Sequence, residues 1–328
     1  MTRPKKINPM NNVPNTGRGE PRPDEIKDLV RSKYAEIALQ DKDTNASSCC
    51  GAGSCSTEVY NIMTDDYSEL KGYNADADLG LGCGLPTRFA GIRPGDTVLD
   101  LGSGAGNDCF VARHEAGEDG RVIGVDFTPE MIAKAKANAA KLGYQNVEFR
   151  QGDIEDLPLT SNIVDVVLSN CVLNLVPDKR KAFSEVLRVL KPGGHFSISD
   201  VVLHGELPAQ LQQAAEMYAG CVSGALQESE YLGIIHDLGF EQVTVQKSKP
   251  IVLPDDILSN YMDAEQIAVY KASGTGIFSI TVAAGKRSID SATDHGQTAC
   301  CVPNAAGTAE VKVGTGEDRG CGPNSSCC

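Results

Sequence analysis

The residues able to do chemistry fall into three groups: a glycine loop, spaced carboxylates and cysteines. Asp100-Leu101-Gly102-Ser103-Gly104-Ala105-Gly106 follows a short apolar run. Glycines there let the backbone approach a ligand and let a helix start close to the strand. A dinucleotide fingerprint needs glycine at 102, 104 and 107, and Asn107 breaks it. No Gly-Lys-Ser/Thr ending follows, which excludes a P-loop. Asp126 comes twenty positions after Gly106 and can accept hydrogen bonds from ribose hydroxyls. Gly152-Asp153-Ile154 offers a carboxylate for an adenine amino group and an apolar side chain for its ring. The third group is drawn from 12 cysteines. Thiolates are soft ligands and suit soft ions. Cys49-Cys50, Cys300-Cys301 and Cys327-Cys328 are adjacent pairs, which do not easily form unstrained disulfides but can chelate a thiophilic ion. Cys50 and Cys55 fit a zinc spacing loosely, but the second pair that a structural zinc site needs is missing. Cys109 reads as a small buried hydrophobe.

Strands and helices must position these residues. Ile26, Leu29, Val30, Tyr34, Ile37 and Ala38 have helix spacing within residues 25–40. From residue 96 strands alternate with helices. Strands are predicted at 97–101, 121–126, 147–150, 163–169 and 195–202. Helices are predicted at 107–116, after the cap Thr128-Pro129, and at 179–190 before Lys191-Pro192-Gly193-Gly194. This rhythm predicts an α/β fold with a mostly parallel sheet and helices on both faces. All three polar clusters then lie at C-terminal strand ends, where open α/β sheets bind ligands. Residues 208–239 read as mostly helical, and 242–253 with 277–284 as a closing antiparallel pair. The expected organisation is a flexible leader and helix at 1–48, a cysteine-bearing segment at 49–95, a core at 96–205, a smaller C-terminal lobe at 206–287, and a flexible cysteine-rich tail at 288–328 holding Cys300, Cys301, Cys321, Cys327 and Cys328.

Composition bounds the function. Aromatics are 5%, tryptophan is absent and the net charge is −14, which argue against nucleic acid as a partner. No window reaches the roughly 18 apolar residues of a membrane span. The first residues carry basic charge without an apolar stretch and do not form a secretory signal. The expectation is a cytoplasmic monomer with reduced thiols.

The glycine loop with Asp126 and Gly152-Asp153 resembles class I S-adenosylmethionine-dependent methyltransferases, with their Rossmann-like fold, over residues 80–205. The resemblance implies that Asp100, Gly102, Ser103, Gly104 and Gly106 hold the methionine end of S-adenosyl-L-methionine. Asp126, Phe127, Met131, Asp153 and Ile154 would then serve the nucleoside, and Asn170 would also contact the cofactor.

The residues after the fourth strand bear on the acceptor. Amide and adenine N-methyltransferases carry Asn/Asp-Pro-Pro-aromatic there, whereas this chain has Ser169-Asn170-Cys171-Val172-Leu173-Asn174-Leu175. An oxygen or nitrogen acceptor often needs a general base. The five histidines, His114, His195, His204, His236 and His295, all lie away from this motif. Trivalent arsenic on thiolates carries a free lone pair and needs no base. The stretch from Ser169 to Lys179, the stretch from Tyr218 to Leu226 around Cys221, and Leu81-Gly82-Cys83-Gly84 resemble signatures of arsenite methyltransferases. That resemblance implies arsenic ligation by Cys171 and Cys221, fifty positions apart, with Cys83 and Cys55 capturing arsenite or forming disulfides during turnover. Cys49 and Cys50 compete with Cys55 for the N-terminal role. It further implies arsenite and methylated arsenicals as ligands, and glutathione or thioredoxin as the thiol reductant. A C- or O-methyltransferase of a small molecule or lipid, and a non-catalytic metalloid-binding thiol protein, are the alternatives.

Overall fold

A computed structural model describes residues 22–40, 65–208, 211, 222 and 224–288. Seven strands form one sheet: β1 Thr97–Leu101, β2 Arg121–Asp126, β3 Val147–Gln151, β4 Val164–Asn170, β5 Leu190–His204, β6 Glu241–Ile251 and β7 Gly276–Gly285. Their order is β3-β2-β1-β4-β5-β7-β6. Strands β1 to β5 run parallel, while β7 pairs antiparallel with both β5 and β6. The strands predicted in the C-terminal lobe thus extend the main sheet.

Helices α1 Pro23–Ala38, α2 Pro86–Phe89, α3 Asn107–Ala116, α4 Pro129–Leu142, α5 Lys179–Val189, α6 Glu228–Asp237, α7 Asp255–Leu258 and α8 Ala264–Ala272 accompany the sheet. Helix α4 begins at Thr128 with Pro129 in its first turn and stops at Gly143, which is left-handed at φ +68°. Its apolar residues Met131, Ile132, Ala135 and Ala139 are buried. One core packs Phe183, Phe196, Tyr231 and Phe240 with β4 and β5, and the other packs α1, α3 and α4 with Phe110 and Phe149. Lys191-Pro192-Gly193-Gly194 does end α5, but it belongs to β5 rather than to a free turn. Gly193 donates its N–H to the Lys286 carbonyl at 3.0 Å, and Lys286 donates to the Gly194 carbonyl at 2.8 Å. These bonds extend β5 upstream of the predicted strand. Among the described residues no helix is long and apolar enough to cross a membrane.

The chain order reverses between β1 and β4, so their C-terminal ends open a crevice. The register Leu101↔Ser169 sets the glycine loop beside Asn170 and Cys171.

Burial in β5 raises the Asp200 carboxyl to about 7, against the N–H of Val201 and the Lys179 charge. A raised carboxyl stabilises fully below its unfolded value near 3.8, and that stability is lost as pH rises to about 7. Asp200→Asn is therefore expected to raise the melting temperature at pH 8 and leave it nearly unchanged at pH 4. The gain is at most about 4 kcal/mol. Thermal denaturation at the two pH values checks this, and an equal shift at both would contradict it.

Candidate functional site

A cleft opens at the switch between β1 and β4. Its wall brings together Asp100, Gly102, Ser103, Gly104, Asp126, Phe127, Met131, Asp153, Ile154, Asn170 and Cys171. Gly102, Gly104 and Gly106 adopt φ of +65°, +51° and +99°. A Cβ on Gly102 would collide with the Val172 side chain. Gly106 is not among the residues of the cleft wall, and a Cβ there would meet the Phe110 and Phe149 rings at 2.8 and 2.9 Å. Its lack of a side chain lets α3 approach β3, which is a packing role.

Asp126 ties β2 to the loop. Its carboxylate accepts from Gly104 N–H at 3.0 Å and from Thr128 N–H at 2.8 Å. Burial pushes its pKa up, and these donors oppose the rise. Asp153 has a partner that its local sequence gives no sign of: Lys27 of α1 donates to it at 2.6 Å and to Glu155 at 2.5 Å. Partial burial disfavours its charge, but Lys27, the Glu155 N–H and the Lys181 charge together outweigh that, and the net shift of Asp153 is down. Lys27, Val30 and Tyr34 extend the cleft wall, so α1 covers its Asp153 end.

Asp78, Asp100, Asp108 and Asp126 share the wall. Burial raises Asp100, helped by the Asp108 and Asp126 charges, while the Cys109 thiol donates to it at 3.2 Å. Cys109 is buried as expected, though its S–H also has this partner. Burial also raises Asp108, to about 6, against hydrogen bonds from Tyr67 and Asn170. Such a cluster gives a negative potential suited to a cation. Buried polar atoms on the wall, Ser103 Oγ and Asn107 Oδ1 among them, have no hydrogen-bond partner among the described residues. Orphaned groups beside a carboxylate-lined cleft fit a zwitterionic, positively charged ligand, so S-adenosylmethionine suits this wall.

Cys83 and Cys171 are joined by a disulfide with their Cα atoms 5.8 Å apart. Both are buried. Cys171 is left-handed at φ +59°, and its N–H donates to the Ser199 carbonyl at 2.8 Å. Among the described residues no group of three His, Cys, Asp or Glu side chains could hold a metal ion. Cys49, Cys50, Cys55, Cys221 and the tail cysteines Cys300, Cys301, Cys321, Cys327 and Cys328 lie outside the described residues. Gly224, three positions past Cys221, packs on the turn that follows Cys171: a Cβ there would collide with the Asn174 carbonyl oxygen.

Sequence reasoning missed Lys27, Tyr67, Asp78 and Asp108. Only Asp108 left a local trace, a carboxylate amid the apolar Cys109-Phe110-Val111-Ala112. Tyr67 belongs to a segment with no hydrophobic period.

The sheet order, the glycine loop and the cleft define a class I S-adenosylmethionine-dependent methyltransferase fold, and a methyltransferase-domain family model matches residues 92–239. The chain belongs to the arsenite methyltransferase family. It is 46% identical over 240 residues to the arsenite methyltransferase of Halobacterium salinarum, covering 68% of this chain and 59% of that one. It is 35% identical over 241 residues to that of Aquipseudomonas alcaligenes, covering 71% and 67%. The crystal structure of CrArsM, an arsenic(III) S-adenosylmethionine methyltransferase from Chlamydomonas reinhardtii, matches with a TM-score of 0.52 at 34% identity, over 72% of this chain and 75% of that one. The chain thus spans about six-tenths to two-thirds of the length of these two curated relatives.

Proposed function

We propose that this protein transfers methyl groups from S-adenosylmethionine to trivalent arsenic held by cysteine thiolates, giving methylated arsenicals. The observation that carries the reading is Cys171 in the wall of the cofactor cleft, covalently paired with Cys83. Gly102, Ser103 and Gly104 would hold the methionine end of the cofactor, and Asp126 the ribose. Asp153 would turn from Lys27 to the adenine amino group, against which Ile154 packs. Bound S-adenosylmethionine supplies an electrophilic methyl group on a sulfonium centre.

Cys171 and Cys221 would present the arsenic, with Cys83 and Cys55 capturing it or closing disulfides. No histidine lines the cleft among the described residues, which accords with a lone-pair acceptor that needs no base. The chain's task is then to position the acceptor and exclude water. Before arsenite can bind, the Cys83–Cys171 disulfide must take up two electrons. Two thiols of glutathione, or the dithiol of thioredoxin, supply them and leave as a disulfide. This suits a reducing cytoplasm and a monomeric enzyme.

Transfer of labelled methyl from S-adenosylmethionine to arsenite, with and without thiol, tests the reading. Cys171→Ser should lose about 10²-fold or more in turnover, as expected when an acceptor is no longer positioned, while cofactor binding persists. Unchanged turnover in that variant, or arsenite binding without methyl transfer in the parent, would sink the proposal.

A further inference from the structure

The loop carrying Cys83 is held from outside its own sequence. The Asn170 side chain, next to Cys171, reaches across to it: Oδ1 accepts from the N–H of Cys83 at 3.0 Å and of Gly84 at 3.3 Å. Its Nδ2 donates to the Gly84 carbonyl at 2.9 Å and to Tyr67 Oη at 2.6 Å, and lies 3.2 Å from Asp108 Oδ2. The Tyr67 hydroxyl lies 2.9 Å from each Asp108 carboxylate oxygen and 3.1 Å from the Gly84 carbonyl. The orientation of the amide is therefore forced. A flip would set NH₂ against two backbone N–H groups and oxygen against a carbonyl and a carboxylate.

The other side of the loop is equally constrained. Ser279 Oγ donates to the Cys83 carbonyl at 2.6 Å. A Cβ on Gly84 would lie 2.7 Å from Ser199 Cβ, and one on Gly82 would lie 2.6 Å from Asn170 Nδ2. Both glycines thus allow the loop to seat against β5 and the amide. Tyr67 itself is buried, packed with Leu85 and Val111. Each polar side-chain atom of Asn170, Tyr67 and Asp108 has a partner, within the trio or on the Cys83–Gly84 backbone, and none of these contacts involves a sulfur atom.

We infer that Tyr67, with Asp108 and Asn170, is a positioning element that holds the Cys83 backbone against the Cys171 turn and keeps the two sulfurs within bonding reach whether or not they are bonded. This assigns function to residues outside the cysteine set, and it rests on the thiol role proposed above. Buried, mutually satisfied polar networks fix geometry more tightly than their pairwise terms suggest.

The test uses the full chain. Its readout is the equilibrium between the Cys83–Cys171 disulfide plus two glutathione thiols and the dithiol plus glutathione disulfide. Alkylation in buffers of set glutathione ratio, followed by mass spectrometry of the two peptides, measures it without arsenite or cofactor. Tyr67→Phe keeps the ring and its packing but removes the hydroxyl. It is expected to lower the equilibrium constant for disulfide formation about tenfold, as loss of one or two buried hydrogen bonds implies. Asp108→Asn, which keeps an acceptor for Tyr67, is expected to lower it about threefold, and it carries the test if Tyr67→Phe does not fold. An unchanged constant in a variant with a lowered melting temperature would mean that the network is merely structural, and would overturn the inference. A shifted constant in a chain that never methylates arsenite would leave the positioning role standing while the proposed reaction fell.

Discussion

Gly102→Ala should fold and yet bind the cofactor about a hundredfold more weakly. Two effects add at this position. Its φ of +65° lies in the left-handed region, which costs a residue with Cβ about 1–2 kcal/mol. The new Cβ would also overlap Val172 Cγ2 and lie 2.6 Å from Cγ1. Val172 is backed by the core and lines the cleft, so one of its escapes is into the space the ligand needs. The alternative is to move the loop, which breaks the Gly102 N–H bond to the Val125 carbonyl at 2.7 Å. Either way affinity should fall by about two orders of magnitude, or near 3 kcal/mol. Gly104 is the internal control: it shares the positive φ, but a Cβ there meets nothing within 4 Å. Calorimetric titration with S-adenosylhomocysteine ranks the two. Equal losses at both positions would show that backbone strain alone decides, and affinity within threefold of the parent for Gly102→Ala would refute the expectation.

Gly224→Ala should show the complementary pattern, with the cofactor still bound and methyl transfer lost. The clash is with backbone, since the carbonyl oxygen of Asn174 occupies the place of the added Cβ. Asn174 cannot retreat easily, because its Nδ2 donates to the Val201 carbonyl at 2.6 Å within the buried strand. The segment at 222–226 must therefore lift. Gly224 and Asn174 each follow a proposed arsenic-binding cysteine by three positions, and the lift takes Gly224 away from the turn after Cys171. Misplacement by about 1 Å can cost 10²-fold in rate. A kinetic assay with arsenite should show a loss of that order, with cofactor affinity changed less than twofold. Retention of more than half the parent rate would show that turnover does not need the Gly224–Asn174 contact.

What the sequence made legible, it made legible through local pattern. The glycine loop after an apolar run, Asp126 at the end of the second strand and Gly152-Asp153 after the third each carry their meaning within a few residues. The structure gathers them in one cleft because parallel strands align their C-terminal ends. What escaped depends on contacts between distant segments. Lys27 meets Asp153 across 126 positions and Tyr67 meets Asn170 across 103. Neither has a periodic signal, since one is a charged residue on a helix and the other lies in a turn-rich stretch. The residues Lys191-Pro192-Gly193-Gly194 read locally as a stop. Only the nearby Lys286, almost a hundred positions later, converts them into strand. Gly106 looked like its two companions, and only the rings of Phe110 and Phe149 behind it reveal a different job.

The left-handed backbone of Cys171 sets two selective pressures against each other. At φ +59° a side chain with Cβ is disfavoured, and glycine or asparagine would fit with less strain. Where the Cys83 bond is kept reduced, a population screened for heat resistance should drift at this codon toward those residues, whereas one screened for survival on arsenic should keep the thiol. Position 171 is thus a place where robustness and activity can be told apart by a single amino acid, and where a thermostabilised descendant should be checked first for silent loss of its chemistry.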